Sequence, residues 1–502
     1  MGMKETGVTE FELKFEIPAD RRRLVEAALR RGKVDRVHLR ACYFDTEESR
    51  LARYGIALRL RHEGRGWVQT AKGPGIGPLL RQEHNFELET GVKKTVPTVD
   101  LAHHSGTPVG KQIGKALKLK SGAAAPLMKP VYETDILRLK RTTRYAGTVV
   151  EMALDRGRIF TAQHSQAVCE LEMELKRGAP EDLVHMARKW CAGHGLWLNS
   201  ISKSARGQSL GDDGRARVPI SATPPQIERH ANGQQIARAV IQVCLTQVLG
   251  NASAVAGGNS NPEHIHQLRV GLRRLRTAIR EFQTIAKGID LSWEAPLTAA
   301  FRALGQHRDQ SHLRDVMAPE IEADGGPSLP ALAAGSTVID PCRVTRSLAF
   351  QDMLLCLIGF AYGSAIDHDA VAYDKVQKLA SRRLQSLRNT LAKEGKKFSA
   401  LDEVRQHRLR KQLKKLRYFA EFISPLFPPR RTKAFLSGLK PVQDALGDHN
   451  DILVSLRAYR ALAVTDSEAW FGVGWLSARR SCSTSMCQRQ MDAFARLIPF
   501  WD

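Results

Sequence analysis

Two short segments carry carboxylates at every second position. In Glu10-Phe11-Glu12-Leu13-Lys14-Phe15-Glu16, charged residues alternate with apolar ones. Successive side chains of a β-strand point to opposite faces. Glu10, Glu12, Lys14 and Glu16 therefore share one face, and Phe11, Leu13 and Phe15 the other. Glu170, Glu172, Glu174 and Lys176 repeat the arrangement against Leu171, Met173 and Leu175. Other alternating segments supply Arg59 with Arg61, then Lys72, then Arg81 with Glu83 and Glu87. A half-exposed sheet with a solvated face would explain any one of these. Rows of like charge repel, however, and here acidic rows coexist with cationic ones. If the sheet closes into a barrel, both kinds of row can line its lumen. Carboxylates bind hard divalent cations through oxygen, and Arg and Lys bind phosphate oxygens. Such a lumen suits a metal-chelated polyphosphate. In-line attack of water on a terminal phosphoryl group would need neutralised equatorial oxygens and a metal near the nucleophile. A carboxylate among Glu83, Glu87 and Glu170 is expected to orient that water.

A second chemistry lies in the other half. His266, Arg269, Arg273, Arg276 and Arg280 recur at steps of three and four, one face of a helix, with Leu268, Leu272, Leu275 and Ile279 on another. His407, Arg410, Lys414 and Arg417 repeat this beside Leu409, Leu413 and Leu416, at an offset of 141. Ala303-Leu304-Gly305 with Asp309 matches Ala445-Leu446-Gly447 with Asp451 at an offset of 142. Two tandem helical units follow from these offsets. A solvated basic face normally interleaves Glu at i+4, and neither stripe does between its first His and last Arg. Both stripes therefore read as polyanion sites.

The elements that must position these residues change character near residue 215. Before it, Glu10–Ile17, Ala57–Arg61, Trp67–Ala71, Gln82–Leu88, Thr148–Leu154 and Val168–Lys176 alternate with period two between Gly-containing turns, the pattern of antiparallel strands. Arg21–Arg31 and Glu181–Gly193 read as helices, and His103–Pro130 as a partly helical excursion. Asp212–Gln226 has linker composition. Beyond it, apolar stripes at helical spacing take over, as in Ile236–Leu249, His264–Thr284, Val371–Leu391 and Leu401–Ile423. The expected fold class is α+β and multidomain: an antiparallel β domain, then an all-α tandem of two helical units. The expected bounds are 5–210 for the tunnel, 211–227 for the linker and 228–490 for the helices.

Composition agrees with a polyanion-handling protein. The 502 residues carry a net charge of +24, with 43% hydrophobic and 25% charged residues. That excludes disorder throughout. It invites nucleic acid, an anionic surface or a polyanionic small molecule. The eight Cys are sparse and form no CxxC pair, which argues against a disulfide framework. The first residues lack an apolar core, and the run Met353–Tyr362 is short for a bilayer. A reduced, cytoplasmic protein is expected.

Several motifs resemble known families. Glu10-x-Glu12-x-Lys14 is similar to the ExExK signature of the CYTH superfamily, the triphosphate tunnel metalloenzymes. Tyr43-Phe44-Asp45-Thr46, Leu58-Arg59-Leu60-Arg61, Lys72, Arg81-x-Glu83-x-Asn85, Arg141, Glu151 through Asp155, Glu170 through Lys176 and Ser202-Lys203 through Arg206-Gly207 follow in the family's order. The resemblance implies an eight-stranded antiparallel β tunnel that binds triphosphate with Mg²⁺ or Mn²⁺. It places metal on Glu10, Glu12, Glu172 and Glu174, and phosphates on Arg59, Arg61, Lys72, Arg141 and Lys203. It gives Glu10, Glu12, Lys14 and Glu83 to catalysis. The basic helices resemble the CHAD family, as does Leu439 through Gly447 with Asp451. That likeness implies two four-helix units binding inorganic polyphosphate through His266, Arg269, Arg273, Arg276, His407, Arg410, Lys414 and Arg417.

The leading expectation is a metal-dependent inorganic triphosphatase that cleaves tripolyphosphate to diphosphate and phosphate, with a polyphosphate-binding helical domain. A non-catalytic polyphosphate-binding or granule-associated protein is the alternative from another class. A thiamine-triphosphatase or adenylate-cyclase-like member is the alternative within the superfamily. Binding polyphosphate alone needs cations rather than carboxylates, which favours catalysis. Nucleic acid is expected only as a nonspecific partner, since neither basic stripe carries an aromatic platform before Tyr418. No membrane partner is expected. All tunnel motifs precede the linker, so residues 1–212 are expected to act alone.

Overall fold

A computed structural model describes residues 7–64, 66–75, 77–88, 96–119, 126–211, 218–259, 261–329, 339–364 and 370–501. It forms two compact units that do not follow the chain order. One comprises Met1–Ser221, Leu245–His264 and Thr345–Ala365; the other comprises Ala222–Cys244, Ile265–Val344 and Ile366–Asp502. Grouped by contact, two segments from beyond the expected linker, Leu245–His264 and Thr345–Ala365, fall with the barrel. Residues 212–217 of that linker lie outside the described residues.

The first unit is built on a closed antiparallel barrel. Its strands are β1 (Gly7–Glu16), β2 (Asp35–Asp45), β3 (Ala57–Glu63), β4 (Gly66–Pro74), β5 (Leu80–Leu88), β6 (Lys129–Tyr145), β7 (Thr148–Phe160) and β8 (Ser165–Arg177). They pair in the order β5-β4-β3-β2-β6-β7-β8-β1, and β1 returns to β5. Closure depends on β1 serving two neighbours. Gly7–Phe11 pairs with β5 and Glu12–Glu16 with β8. A two-residue strand, β9 (Trp197–Leu198), adds to Phe15 and Glu16. The period-two pattern sorts the side chains: Leu13, Phe15, Leu171 and Met173 are fully buried on the apolar face. The Ala146-Gly147 turn joining β6 to β7 has φ of 48° and 84°, the double positive geometry of a tight hairpin. Gly157 lets β7 approach β6 closely, since a Cβ there would meet the Asp135 carbonyl oxygen at 1.9 Å.

Outside the barrel, the helix Pro108–Leu117 covers β3 and β4, packing Val109, Ile113, Ala116 and Leu117 on Ile56, Leu58 and Ala71. Thr107 caps it by accepting from the Gly110 amide at 3.0 Å. This helix lies within the excursion expected at 103–130; residues 120–125 of it lie outside the described set.

The helix Leu348–Tyr362 belongs to the tunnel unit, although it comes from the helical half. Its Asp352 receives a two-pronged pair from Arg188 at 2.6 and 2.9 Å. Its Gln351 accepts from the Leu198 amide at 2.8 Å and donates to the Thr345 carbonyl at 2.6 Å. Arg346 stacks over Trp197 at 4.4 Å. Residues 1–212 alone would leave these partners unmet and uncover the surface of the helix Pro180–His194 against which Leu348–Tyr362 packs. A 1–212 fragment would keep every tunnel motif but lose this covering helix.

Eight helices of fifteen or more residues make up the second half among the described residues. They fall in two sets of four: Gly233–Ala256, Pro262–Phe282, Glu294–His312 and Leu348–Tyr362, then Tyr373–Gly395, Glu403–Ile423, Pro429–Leu462 and Ala469–Ala495. In the two basic helices, Leu268, Leu272, Leu275 and Ile279 are buried, as are Leu409, Leu413 and Leu416. Asp402 caps the second, accepting from the Arg405 amide at 2.8 Å. Gly233–Ala256 is long and apolar enough to cross a membrane by length and composition, and 72% of its apolar window is buried in the protein.

Candidate active site and anion groove

The barrel encloses a cavity of about 310 Å³. β1 sends in Glu10, Glu12 and Lys14; β3 sends Arg59 and Arg61; β4 sends Lys72; β5 sends Arg81 and Glu83. β6 adds Arg138 and Lys140, β7 Glu151 and Asp155, and β8 Glu172, Glu174 and Lys176. Lys203, at the start of the helix Lys203–Gly211, closes the set. Acidic and cationic rows therefore face one another across one lumen.

One wall is already neutralised. Oxygens of Asp155, Glu170 and Glu172 lie within 4.8 Å of one another, the spacing of a metal site. The Lys203 ammonium sits among them, 2.6 Å from Asp155 and 2.7 Å from Glu172, and also pairs with Glu170. Arg138 grips Asp155 through two bonds of 2.6 Å and reaches Glu172. Arg206 holds the second oxygen of Glu170. This cluster has its cations in place and fits an added metal poorly.

The neighbouring carboxylates on β1 are less fully neutralised. Glu12 accepts no side-chain hydrogen bond among the described residues. Burial, and then the Glu172 charge, push its carboxyl up to about 7. Burial likewise raises Glu10 to about 7, with Lys72, 2.9 Å away, opposing and Glu83 adding to the rise. A divalent cation there would offset both penalties, so Glu10 and Glu12 fit the implied metal. Glu174, paired with Lys176 at 2.6 Å, and Glu172 line the same lumen. Burial opposes ionisation of Glu83 too, but Lys72 and Arg59 outweigh it and hold that carboxyl far below its usual range.

The phosphate-side residues are partly unpaired. The Nε atoms of Arg59 and Arg61 are buried without a hydrogen-bond partner. Arg59 donates to the Tyr43 hydroxyl at 3.1 Å. Lys14, lowered by burial, donates to the Ile201 carbonyl.

Placement corrects one residue of the expected set. Arg141 points out of the barrel, with its guanidinium on the carbonyls of Ala28 and Leu29 at 3.4 and 3.3 Å. It stacks against the end of the helix Arg22–Leu29 instead of reaching phosphate. Strand parity is the reason: β6 turns Arg138 and Lys140 inward and Arg141 outward. Of the three carboxylates considered for the water, Glu87 is exposed and outside the lining. Glu170 is wholly buried and engaged by Lys203 and Arg206. Glu83 alone faces the lumen.

In the second unit, a groove of about 950 Å³ runs between the basic helices. His266, Arg269, Arg273, Arg276, His407, Arg410 and Lys414 line it. The Nε atoms of Arg269, Arg273, Arg276 and Arg410 are buried without partners. His407 contacts Asn450 at 2.9 Å. Arg417 does not join them: Glu421 accepts from it at 2.8 Å and Gln443 takes a second bond, so it is withdrawn from the lining. The groove gains Arg308, which the sequence stripes did not contain. Arg308 clamps Asp451 at 3.2 and 3.1 Å. Phe301 lies under Arg269 and Arg273 at 5.1 and 5.7 Å, and Tyr418 under Arg273 at 5.9 Å. Tyr418 is 5% exposed, so it orients a guanidinium and offers no platform to a base.

Comparison with known proteins places these two sites in described domains. Residues 9–207 match the model of the CYTH domain and residues 239–460 that of the CHAD domain. An inorganic triphosphatase of Haemophilus influenzae is 27% identical over 172 residues, covering 34% of this chain and 45% of that protein. This chain therefore matches less than half the length of that relative. A crystal structure of the CHAD domain of the plant Ricinus communis is 25% identical, covers 55% of this chain and 98% of its own, and has a TM-score of 0.45. A Hippeastrum adenylyl cyclase candidate with a dominant triphosphatase activity is 16% identical, covers 40% of this chain and 96% of its own, and has a TM-score of 0.29. The closed eight-stranded barrel with its paired acidic and basic walls, followed by the helical repeats, is that of a chain carrying an N-terminal CYTH domain and a C-terminal CHAD domain.

Proposed function

We propose that the tunnel hydrolyses tripolyphosphate to diphosphate and phosphate with Mg²⁺ or Mn²⁺, and that the helical groove binds inorganic polyphosphate. One observation carries the catalytic reading. Glu10 and Glu12 are carboxylates that burial raises to about 7 in spite of nearby lysines, in one lumen with arginines that have unmet N–H groups. A binder of phosphate alone has no use for the carboxylates, and a binder of metal alone has none for the arginines.

The residues divide the work by charge. Arg59, Arg61, Arg138, Lys72 and Lys203 would grip the phosphate oxygens, with Lys14 beside them. Glu10 and Glu12 would hold the cation, with Glu172 and Glu174 adjoining. When bound, that cation supplies neutralisation of the developing phosphate charge. Glu83, kept ionised by Lys72 and Arg59, would accept a hydrogen bond from the attacking water and fix its line of approach. Phosphate release from tripolyphosphate by wild type and by Glu10→Gln, at saturating Mg²⁺, tests this reading. Equal turnover would remove Glu10 from the site.

The groove is read as a polyphosphate site because its unpaired guanidinium edges converge over a long, aromatic-poor surface. Cytoplasmic location and association with polyphosphate granules follow as part of the same proposal. Arg273→Ala/Arg410→Ala should lose long-chain polyphosphate affinity. Competition by duplex DNA at equal phosphate concentration would instead favour general polyanion binding.

A further inference from the structure

The helical groove holds one lysine at a position that a free ammonium tolerates badly. Lys414 projects from the helix Glu403–Ile423 into the groove. Arg410 flanks it on the same helix, and Tyr418 lies one turn further along. Arg269 and Arg273 face it from the helix Pro262–Phe282. The helix Glu294–His312 brings Arg308 and Asp309, but Asp309 lies 3.8 Å from Arg269 and 3.7 Å from Arg308. The helix Pro429–Leu462 brings Asp451, the carboxylate that acts on Lys414. Asp451 is already spent on the two-pronged pair with Arg308, and His312 stands 3.8 Å away. Lys414 makes no hydrogen bond or ion pair among the described residues. It is a half-buried amine that lines the groove beside Arg269, Arg273 and Arg410, with no anion of its own.

That placement has a consequence for binding. Arginines cannot release a proton at ordinary pH, so the lysine is the group in the ring that yields. Burial, then Arg273 and Arg410, push its ammonium down to about 5. The empty groove at neutral pH therefore presents a neutral amine beside its arginines. A phosphate chain laid along the groove reverses the local field and favours the ammonium.

We propose that the groove takes up a proton at Lys414 as it binds polyphosphate, so that anion binding and protonation are one coupled event. This rests on the polyphosphate reading of the groove. Lys414 is here a sensor as well as a ligand. Affinity is highest in acid and falls as pH rises, because each bound chain must draw its proton from an ever lower concentration. One proton per groove gives about a tenfold loss of affinity per pH unit. The dependence begins above the pKa of the free groove and ends at that of the complex.

The test uses the full chain and long-chain inorganic polyphosphate, whose few terminal phosphates contribute little titration. Affinity is measured from pH 7 to 8.5. Calorimetry at pH 7.5 in two buffers of different ionisation enthalpy counts the protons taken up. Expected in wild type are about one proton per occupied groove and a tenfold loss per pH unit. In Lys414→Arg, whose charge is permanent, binding persists, while the uptake and the slope both vanish. His266→Gln/His407→Gln removes any imidazole share of the uptake, and the part that Lys414→Arg abolishes should remain. Should Lys414→Arg not fold, a lysine-acylating reagent on wild type decides. Labelling of Lys414 at pH 7 faster than surface lysines, suppressed by polyphosphate, supports the coupling; an unreactive Lys414 overturns it. Zero uptake in wild type, or undiminished uptake in Lys414→Arg, also overturns it while polyphosphate binding stands. No binding of polyphosphate at any of these pH values would overturn the groove reading and the coupling together.

Discussion

Replacing Glu12 by Gln should stabilise the metal-free protein and abolish its response to metal. In the folded chain the Glu12 carboxyl is raised from 4.5 to about 7 by burial and by Glu172. A rise of that size corresponds to about 3 kcal/mol against the ionised form. Water in the lumen screens part of it, so about 1–3 kcal/mol is the working range. The sign follows from linkage. The unfolded chain ionises Glu12 above about pH 4.5 and the folded chain only above about 7. The penalty is therefore absent in acid, grows between these values and is complete above about pH 7. Gln escapes it at every pH. Thermal melts without divalent cation at pH 5, 6, 7 and 8 should show Glu12→Gln and wild type converging at pH 5 and the variant several degrees higher at pH 8. Adding Mg²⁺ should reverse the order. A ligand at a hundredfold excess over its dissociation constant stabilises by about 2.7 kcal/mol, and only wild type should gain it. A variant that melts with wild type at pH 8, or that gains the same shift from Mg²⁺, would refute the assignment of Glu12 to a cation site.

Other expectations follow from placement. Arg138→Ala should raise KM for tripolyphosphate and destabilise, because it strands buried Asp155; Arg141→Ala should leave KM unchanged and cost only about 1 kcal/mol, read by denaturant titration. A 1–212 fragment should melt lower than the full chain or aggregate, having lost the Arg188–Asp352 pair and the Gln351 bond to β9; a fragment as stable as the full chain would contradict this packing. Arg417→Ala should barely alter polyphosphate affinity, while Arg273→Ala weakens it at least tenfold and flattens its salt dependence. Apparent Mg²⁺ affinity should fall as pH drops below about 7, since Glu10 and Glu12 must then lose protons to bind; titrations at pH 6 and 8 measure the slope.

Period-two alternation made the tunnel legible. Glu10, Glu12 and Lys14 alternate with Phe11, Leu13 and Phe15, so sharing a face is dictated once the segment is a strand. β6 was harder because it carries basic residues on both parities: Arg138 and Lys140 on one, Arg141 on the other. Only the register, which sets Arg138 opposite Asp155, says which faces inward. Asp155 received no role because a lone aspartate after an apolar run looks like a strand end. The withdrawal of Arg417 did leave a sign. Glu421 stands four residues beyond it, the spacing of a helical ion pair, just past the limit of the basic stripe. The packing of Leu348–Tyr362 left none, since an apolar stripe names no partner. Arg308 enters the groove from a helix whose sequence shows no basic periodicity, and tertiary placement alone reveals it.

The most direct measurement is ³¹P NMR of tripolyphosphate incubated with the full chain in Mg²⁺, in Mn²⁺ and in excess chelator. Expected is one diphosphate and one orthophosphate for each tripolyphosphate lost, with either metal, and no turnover in chelator. Intact tripolyphosphate in both metals, or equal cleavage in chelator, would contradict a metal-dependent triphosphatase in this tunnel.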